Sequence, residues 1–263
     1  MMPIHPIQSL NEPALAPYRN LKDKELDRAG ARFIAEGENV VRRLLASTTP
    51  VESVLVSNRK ISAIAPLCPP GLPVYTAADD LIESIIGFEF HSGVLACGIR
   101  PPNPALTSLI PHPPMPALFT ICQEITNAEN LGSLIRISAA FGARAIILGE
   151  RCCDPWFRQS VRVSMGTIFA LPVYRSENLI ADLRILRNSQ ITLIASVLDE
   201  RAESLEALAS FSRVGVVFGS EAQGLDADTI ANCDRHVTIP MKLSTDSLNV
   251  AVAAGIFLYQ LAR

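Results

Sequence analysis

From Ala117 to the end of the chain, short continuous apolar runs alternate with segments whose apolar positions recur every three or four residues. The runs ALFTICQ, AIILG, ITLIASVL, VGVVFGS and HVTIP read as strands. LGSLIRISAAFG, a stretch near Pro155 to Val163, NLIADLRILRN, LDADTIANC and the closing segment read as helices. Strands that are apolar on both faces and separated by helices predict an α/β fold with a parallel sheet covered on both sides. Residues 1–98 carry a shorter version of the pattern. GARFIAEGENVVRRLLAS reads as a strand entering a helix, VESVLVSN, LPVYTA and HSGVLACGI as strands, and Asp80 to Ile86 as a helix, which predicts a small α/β domain. Between the two, Pro101 to Pro116 hold seven of the nineteen prolines. Such a run disfavours helix and central strand and predicts a stiff, extended connector over 99–116, with the second domain spanning 117–263.

The closing segment, IPMKLSTDSLNVAVAAGIFLYQLAR, is a polar loop that runs into an apolar helix. Val250, Ala254, Phe257 and Leu261 keep the spacing of a buried face. Ser247 and Asn249 stand where that helix begins, so their side chains can cap it or point toward a ligand.

In a parallel sheet of this kind ligands bind at the carboxyl ends of the strands. The polar or glycine-bearing ends are Gln123 to Gly132, Gly219 to Gly224 and Pro240 to Asn249, which predicts three chemically distinctive loops along one rim. In the first, NAENLGSLIR, Asn130 and Gly132 are read as opening a helix with Arg136 in its second turn. There a guanidinium opposes the helix macrodipole and is expected to be held by an acid or a phosphate. In the second, Gly219 and Gly224 permit tight turns that leave backbone amides free for a ligand, and Glu221 places an acid at the strand tip. This loop has neither the GK[ST] ending of a phosphate loop nor the GxGxxG spacing of a dinucleotide site, which disfavours ATP and NAD.

Composition narrows the reading without deciding it. With 263 residues, 49% of them apolar, the chain can bury a sizeable core. The N-terminus has no basic region followed by an apolar run, and the longest apolar stretch is too short to span a bilayer, so a cytoplasmic protein is expected. The six cysteines show no CxxC spacing and favour reduced core thiols over disulfides or a zinc site. A formal net charge of −3 gives no general attraction for nucleic acid, so an RNA site has to be a local patch. Arg19, Lys22, Lys24, Arg28 and Arg32, followed by Arg42 and Arg43, form one candidate. Interleaved acids leave a mixed solvated surface as an equal alternative. His5, His91, His112 and His236 are scattered and no serine elbow accompanies them, which argues against a hydrolase triad.

Taken in order, the three loops resemble the SpoU/TrmH family of RNA 2′-O-ribose methyltransferases, in the SPOUT superfamily. Asn130, Gly132 and Arg136 match the family's first motif. Gly219, Glu221 and Gly224 match the second, and Pro240, Ser247, Leu248 and Asn249 the third. Arg162 to Val173 also looks like the family's pattern, and FIAEGE at Phe33 to Glu38 with HSGV at His91 to Val94 is similar to a ribosomal-protein-like substrate-binding domain. Ser220 departs from the asparagine common at that position, where the backbone is expected to matter more than the side chain. The resemblance implies a deep trefoil knot, a homodimer enclosing the site, S-adenosylmethionine as cofactor, no metal, and a structured RNA substrate, ribosomal rather than transfer RNA. Phe218, Gly219, Gly224, Ile239, Met241, Ser247 and Leu248 are then expected to hold the cofactor. In the expected mechanism Arg136 of a second subunit fixes the target phosphate and Ser247 relays the proton. Asn130 and Asn249 orient substrate and backbone, and Glu221 holds Arg136 or an adjacent loop. The alternative is a non-catalytic RNA-binding or cofactor-sensing protein on the same scaffold.

Overall fold

The computed structural model describes residues 4–9, 11–19, 21, 31–242 and 247–262. Lys22, Lys24 and Arg28 of the candidate basic run, and residues 243–246 of the third rim loop, lie outside them. The chain divides into two compact units, Met1–Pro102 with Trp156–Phe169, and Asn103–Pro155 with Ala170–Arg263. The chain therefore passes between units three times.

The first unit contains β1 (Ile4–Pro6), β2 (Arg32–Glu36), α1 (Glu38–Leu45), β3 (Val51–Ser57), α2 (Ile61–Ile64), β4 (Val74–Ala77), α3 (Asp79–Ile86) and β5 (Val94–Ile99). Its sheet runs in the order β1-β4-β3-β5-β2, with β1, β4 and β3 mutually parallel and β5 antiparallel to both neighbours. Val40, Val41 and Leu44 give α1 one buried face, and its arginines take the other. Tyr18 is fully buried, and its hydroxyl exchanges a hydrogen bond of 2.8 Å with Ser53 and accepts the Cys97 amide at 3.1 Å.

The second unit begins with α4 (Leu106–Leu109), β6 (Ala117–Cys122), α5 (Ala128–Ala140) and β7 (Ala145–Leu148). The next helix, α6 (Arg158–Val163), belongs to the first unit. After it come β8 (Val173–Arg175), α7 (Leu179–Asn188), β9 (Thr192–Ser196), β10 (Glu203–Ser204), β11 (Arg213–Phe218), α8 (Ala227–Ala231), β12 (Arg235–Thr238) and α9 (Val250–Leu261). Every pairing in this sheet is parallel, in the order β10-β12-β9-β11-β6-β7-β8. From β6 the chain steps to β7 and β8 on one side, then returns to β9, β11 and β12 on the other. The direction reverses between β6 and β11, the kind of crevice where open α/β sheets take their ligands.

The proline-rich stretch departs from the expected extended form, because α4 forms inside it. Residues 105–110 are free of proline, which leaves room for one turn, and burial of Leu106 and Leu109 in the core of the second unit stabilises that turn. Arg213, itself buried at the start of β11, fastens the rest of the stretch. Its guanidinium donates to the carbonyls of Met115 (2.5 Å), Pro111 (3.0 Å) and Ser189 (2.9 Å). Arg213→Ala strands three carbonyls and removes a charged donor. It is expected to cost on the order of 3 kcal/mol, read as a lowered urea midpoint. An unchanged midpoint would show that water replaces the guanidinium without penalty. Among the described residues, no helix is long and apolar enough to cross a membrane.

Candidate active site

Three helices at the rim of the second unit start from side-chain caps. Asn127 accepts the amides of Glu129 (2.8 Å) and Asn130 (3.2 Å) to start α5, Asp226 accepts the Thr229 amide (2.8 Å) to start α8, and Asn249 accepts those of Ala251 (2.9 Å) and Val252 (3.4 Å) to start α9. Each cap contributes about 1 kcal/mol and fixes where its loop ends. For α9 the cap is Asn249; Ser247 is exposed two residues upstream.

Asn249 has a second task. While its Oδ1 caps α9, its Nδ2 donates to Asn130 Oδ1 at 2.9 Å, and Asn130 Nδ2 donates to Glu221 Oε1 at 3.0 Å. The chain of donors has one direction, from the helix amides through two side-chain amides to a carboxylate, and it spans the loops after β12, β6 and β11. Its last bond crosses the β6/β11 crevice.

The loop after β11 is a closed turn. Ser220 and Gly224 exchange backbone hydrogen bonds of 3.0 and 2.9 Å, and Gly224 has φ 71°. Ser220 Oγ accepts the amides of Ala222 (3.2 Å) and Gln223 (3.4 Å), so this side chain does shape the turn. An asparagine Oδ1 has the acceptor capacity for the same two bonds. Beneath the turn, Gln123 donates to Asp226 and accepts the Asp226 amide at 3.1 Å, and Arg151 ties Asp226 to Glu124.

These loops surround a cavity of about 800 Å³. All seven residues expected to hold a cofactor line it, as do Asn130, Glu221 and Asn249. Arg136 does not. It is the ninth residue of α5, because the Asn127 cap starts the helix earlier than a start at Asn130 implied. Eight residues in, at 1.5 Å each, the guanidinium is about 12 Å from the helix start, where the end effect of the dipole has faded. Arg136 is exposed, and it has no hydrogen bond or ion pair among the described residues. Within the subunit Glu221 holds the adjacent loop through Asn130.

The cavity also has a wall absent from the sequence reading, Ser196 to Asp199 with Arg201 and Ala202, from the loop after β9. Asp199 grips Arg201 through both carboxylate oxygens, at 3.1 and 3.0 Å, and the pair holds the Asp199 carboxyl below its ordinary range. Nothing in the local sequence marks this loop, since only the strand order puts β9 between β11 and β12.

Comparison with known proteins supplies the family. Residues 117–259 match the model of the SpoU rRNA Methylase family. An uncharacterized tRNA/rRNA methyltransferase of Mycobacterium tuberculosis is 34% identical over 261 residues, covering 96% of this chain and 90% of that protein. The chain belongs to the SpoU rRNA methylase family. As a SpoU methylase it is an RNA methyltransferase. A second relative, the 23S rRNA (guanosine-2′-O-)-methyltransferase RlmB of Acinetobacter baylyi, is 31% identical over 213 residues, 78% of this chain and 85% of that one. A likeness of fold to a solved structure extends over both units. The crystal structure of an S-adenosylmethionine-bound rRNA methyltransferase from Sinorhizobium meliloti superposes with a TM-score of 0.83, covering 98% and 97% of the two chains at 24% identity.

Burial disfavours the thiolate at the two adjacent cysteines of this SpoU methylase. All six cysteines are free, and burial pushes Cys152 up to about 11 and Cys153 up to about 12. At neutral pH both stay protonated, and the thiolate is the reactive form.

Proposed function

We propose that this enzyme transfers a methyl group from S-adenosylmethionine to a ribose 2′-hydroxyl of structured RNA, ribosomal rather than transfer RNA, in the cytoplasm. The observation that carries the reading is the Asn249–Asn130–Glu221 chain at the edge of a cavity of about 800 Å³, within the usual range for small-molecule sites. The fit to a nucleoside cofactor is read from the walls. Phe218, Ile239, Met241 and Leu248 supply apolar surface for a base. Gly219 lets the backbone come where a side chain could not: a Cβ there would lie 2.2 Å from the Gly224 carbonyl carbon.

When bound, the cofactor supplies an electrophilic methyl carbon and leaves as a neutral thioether. The protein has to align the hydroxyl with that carbon and take its proton. Ser247, exposed at the cavity wall, is placed to pass the proton on, while Asn130 and Asn249 hold the loops in register. Arg136 serves the site of a second subunit, where its guanidinium fixes the target phosphate and offsets charge developing on the attacking 2′-oxygen as it loses its proton. Its freedom from partners among the described residues supports that assignment. So does the apolar stripe of Val252, Ile256 and Tyr259 on the exposed side of α9, with 52%, 39% and 55% of each residue exposed, which suits a homodimer contact. The same reading includes a trefoil knot in the second unit and an N-terminal unit that binds substrate RNA.

The test is transfer of labelled methyl groups from S-adenosylmethionine to ribosomal and transfer RNA, followed by alkaline hydrolysis. Ribose methylation leaves the adjacent linkage uncleaved, so labelled dinucleotides are the expected product. Labelled mononucleotides would indicate base methylation. S-adenosylmethionine binding without transfer to either RNA would favour the sensor reading.

A further inference from the structure

The first unit gathers positive charge at one turn. Glu36, Gly37 and Glu38 join β2 to α1, and four cations, from α1, from Lys60 and from α6, converge on the two carboxylates. Lys60 (2.9 Å) and Arg42 (2.8 Å) grip Glu38 and hold its carboxyl below its ordinary range, so it stays ionised. Arg158 and Arg162 of α6 reach Glu36, the second at 3.7 Å. Arg59 pairs with Asp79 (2.8 Å) and donates to the carbonyls of Phe90 and His91. Arg43 donates to the Met165 carbonyl at 2.7 Å, just beyond α6. Glu89 and His91, at the margin, pair with each other.

Six cations thus face three carboxylates, and the layering decides which sign solvent meets. The Glu36 side chain is 8% exposed and that of Glu38 29%, whereas those of Arg59 and Arg162 are 50% and 55% exposed. Asp79, at 38%, lies nearer the surface beside Arg59, whereas Glu36 and Glu38 lie deeper and anchor the other cations with outer N–H groups available to a second acceptor. In a chain of net charge −3 this is a local reversal of sign. None of the exposed large apolar residues belongs to the patch, which disfavours a membrane surface, where apolar anchors accompany basic residues.

We infer that this turn carries a phosphate-binding surface for the RNA backbone, formed by Arg42, Arg43, Arg59 and Lys60 together with Arg158 and Arg162 of the inserted segment. The inference rests on the RNA methyltransferase reading and deepens it by naming the surface that holds the substrate. It also gives the 156–169 insertion a purpose. The two arginines that α6 contributes sit on a peptide whose ends continue directly into the methyltransferase unit, so part of the surface that holds RNA is joined through the chain to the catalytic sheet.

Backbone binding is sequence-independent, so any structured RNA reports it. The probe is a fluorescently labelled RNA hairpin titrated over a salt series, with Arg59→Ala/Arg162→Ala and Arg43→Ala compared with Arg187→Ala and Arg235→Ala of the second unit. Circular dichroism verifies that each variant is folded. The slope of log affinity against log salt is expected to fall by about 1 for each arginine removed from the patch and to stay unchanged in the other two variants. Equal slopes and affinities in all folded variants would overturn the inference. So would patch-dependent binding to phosphatidylserine vesicles without patch-dependent RNA binding. Ribose methylation is measured in parallel. Wild-type methylation with patch-independent binding sinks this inference alone, and patch-dependent binding without ribose methylation sinks only the functional reading.

Discussion

Arg136→Ala is expected to slow single-turnover RNA methylation by about 10²- to 10³-fold, the usual consequence of removing one donor to developing negative charge. Folding and S-adenosylmethionine affinity are expected to stay at wild-type values. Arg136 is exposed, has no hydrogen bond or ion pair among the described residues, and does not line the cavity, so the folded subunit loses little without it. Calorimetry for the cofactor and rapid-quench assays for transfer separate the two effects. Arg136→Lys restores the charge but not the two-pronged geometry and is expected to recover only part of the rate. A wild-type rate in the alanine variant would remove Arg136 from the mechanism, whichever subunit presents it.

Gly219→Ala is expected to fail at the opposite step. The added Cβ would lie 2.2 Å from the Gly224 carbonyl carbon, 2.4 Å from its oxygen and 2.4 Å from the Leu225 nitrogen. All three are backbone atoms of the turn closed by Ser220 and Gly224, so no side-chain rotation relieves the clash and the turn itself has to move. Overpacking of this kind costs about 1–3 kcal/mol, and here it falls on the cavity wall, which predicts S-adenosylmethionine binding roughly 10- to 100-fold weaker by calorimetry. Unaltered affinity would place the cofactor elsewhere.

The two variants complement each other as a test of subunit exchange. In the proposed homodimer, a mixed pair combines a subunit with an intact Gly219 turn and one with an intact Arg136, so partial recovery of activity on co-refolding is expected if the guanidinium acts across that proposed contact. If it acts within its own subunit, the mixture stays inactive.

Much of the site was legible along the chain because its parts are local. The alternation of apolar runs and helical spacings in 117–263 produced the parallel sheet, and polar or glycine-bearing strand ends became rim loops. The buried face of α9 follows the expected spacing at Ala254, Phe257 and Leu261, with Ala251 and Leu258 completing it while Val250 is only half-buried. Short edge strands were less visible. β8 and β10 have three and two residues, too few for a periodic pattern to accumulate. The turn of helix at Leu106–Leu109 was hidden by the prolines around it and is held by burial in a core that its own sequence does not reveal.

Residue type and spacing by themselves determined that this chain has glycine-bearing turns at strand ends, amides that can cap helices, and an apolar helix to anchor the last of them. These are properties of one residue and its near neighbours, set by sterics and hydrogen-bonding capacity. Only the tertiary structure decided that β9 lies between β11 and β12, which brings Asp199 and Arg201 to the cavity. It also set Asn249, Asn130 and Glu221 in a directed chain, and it placed Arg158 and Arg162 over Glu36, 122 residues earlier for the first pair. Strand order and long-range pairing depend on how whole elements pack, a choice settled by the shared core rather than by any local stretch of sequence.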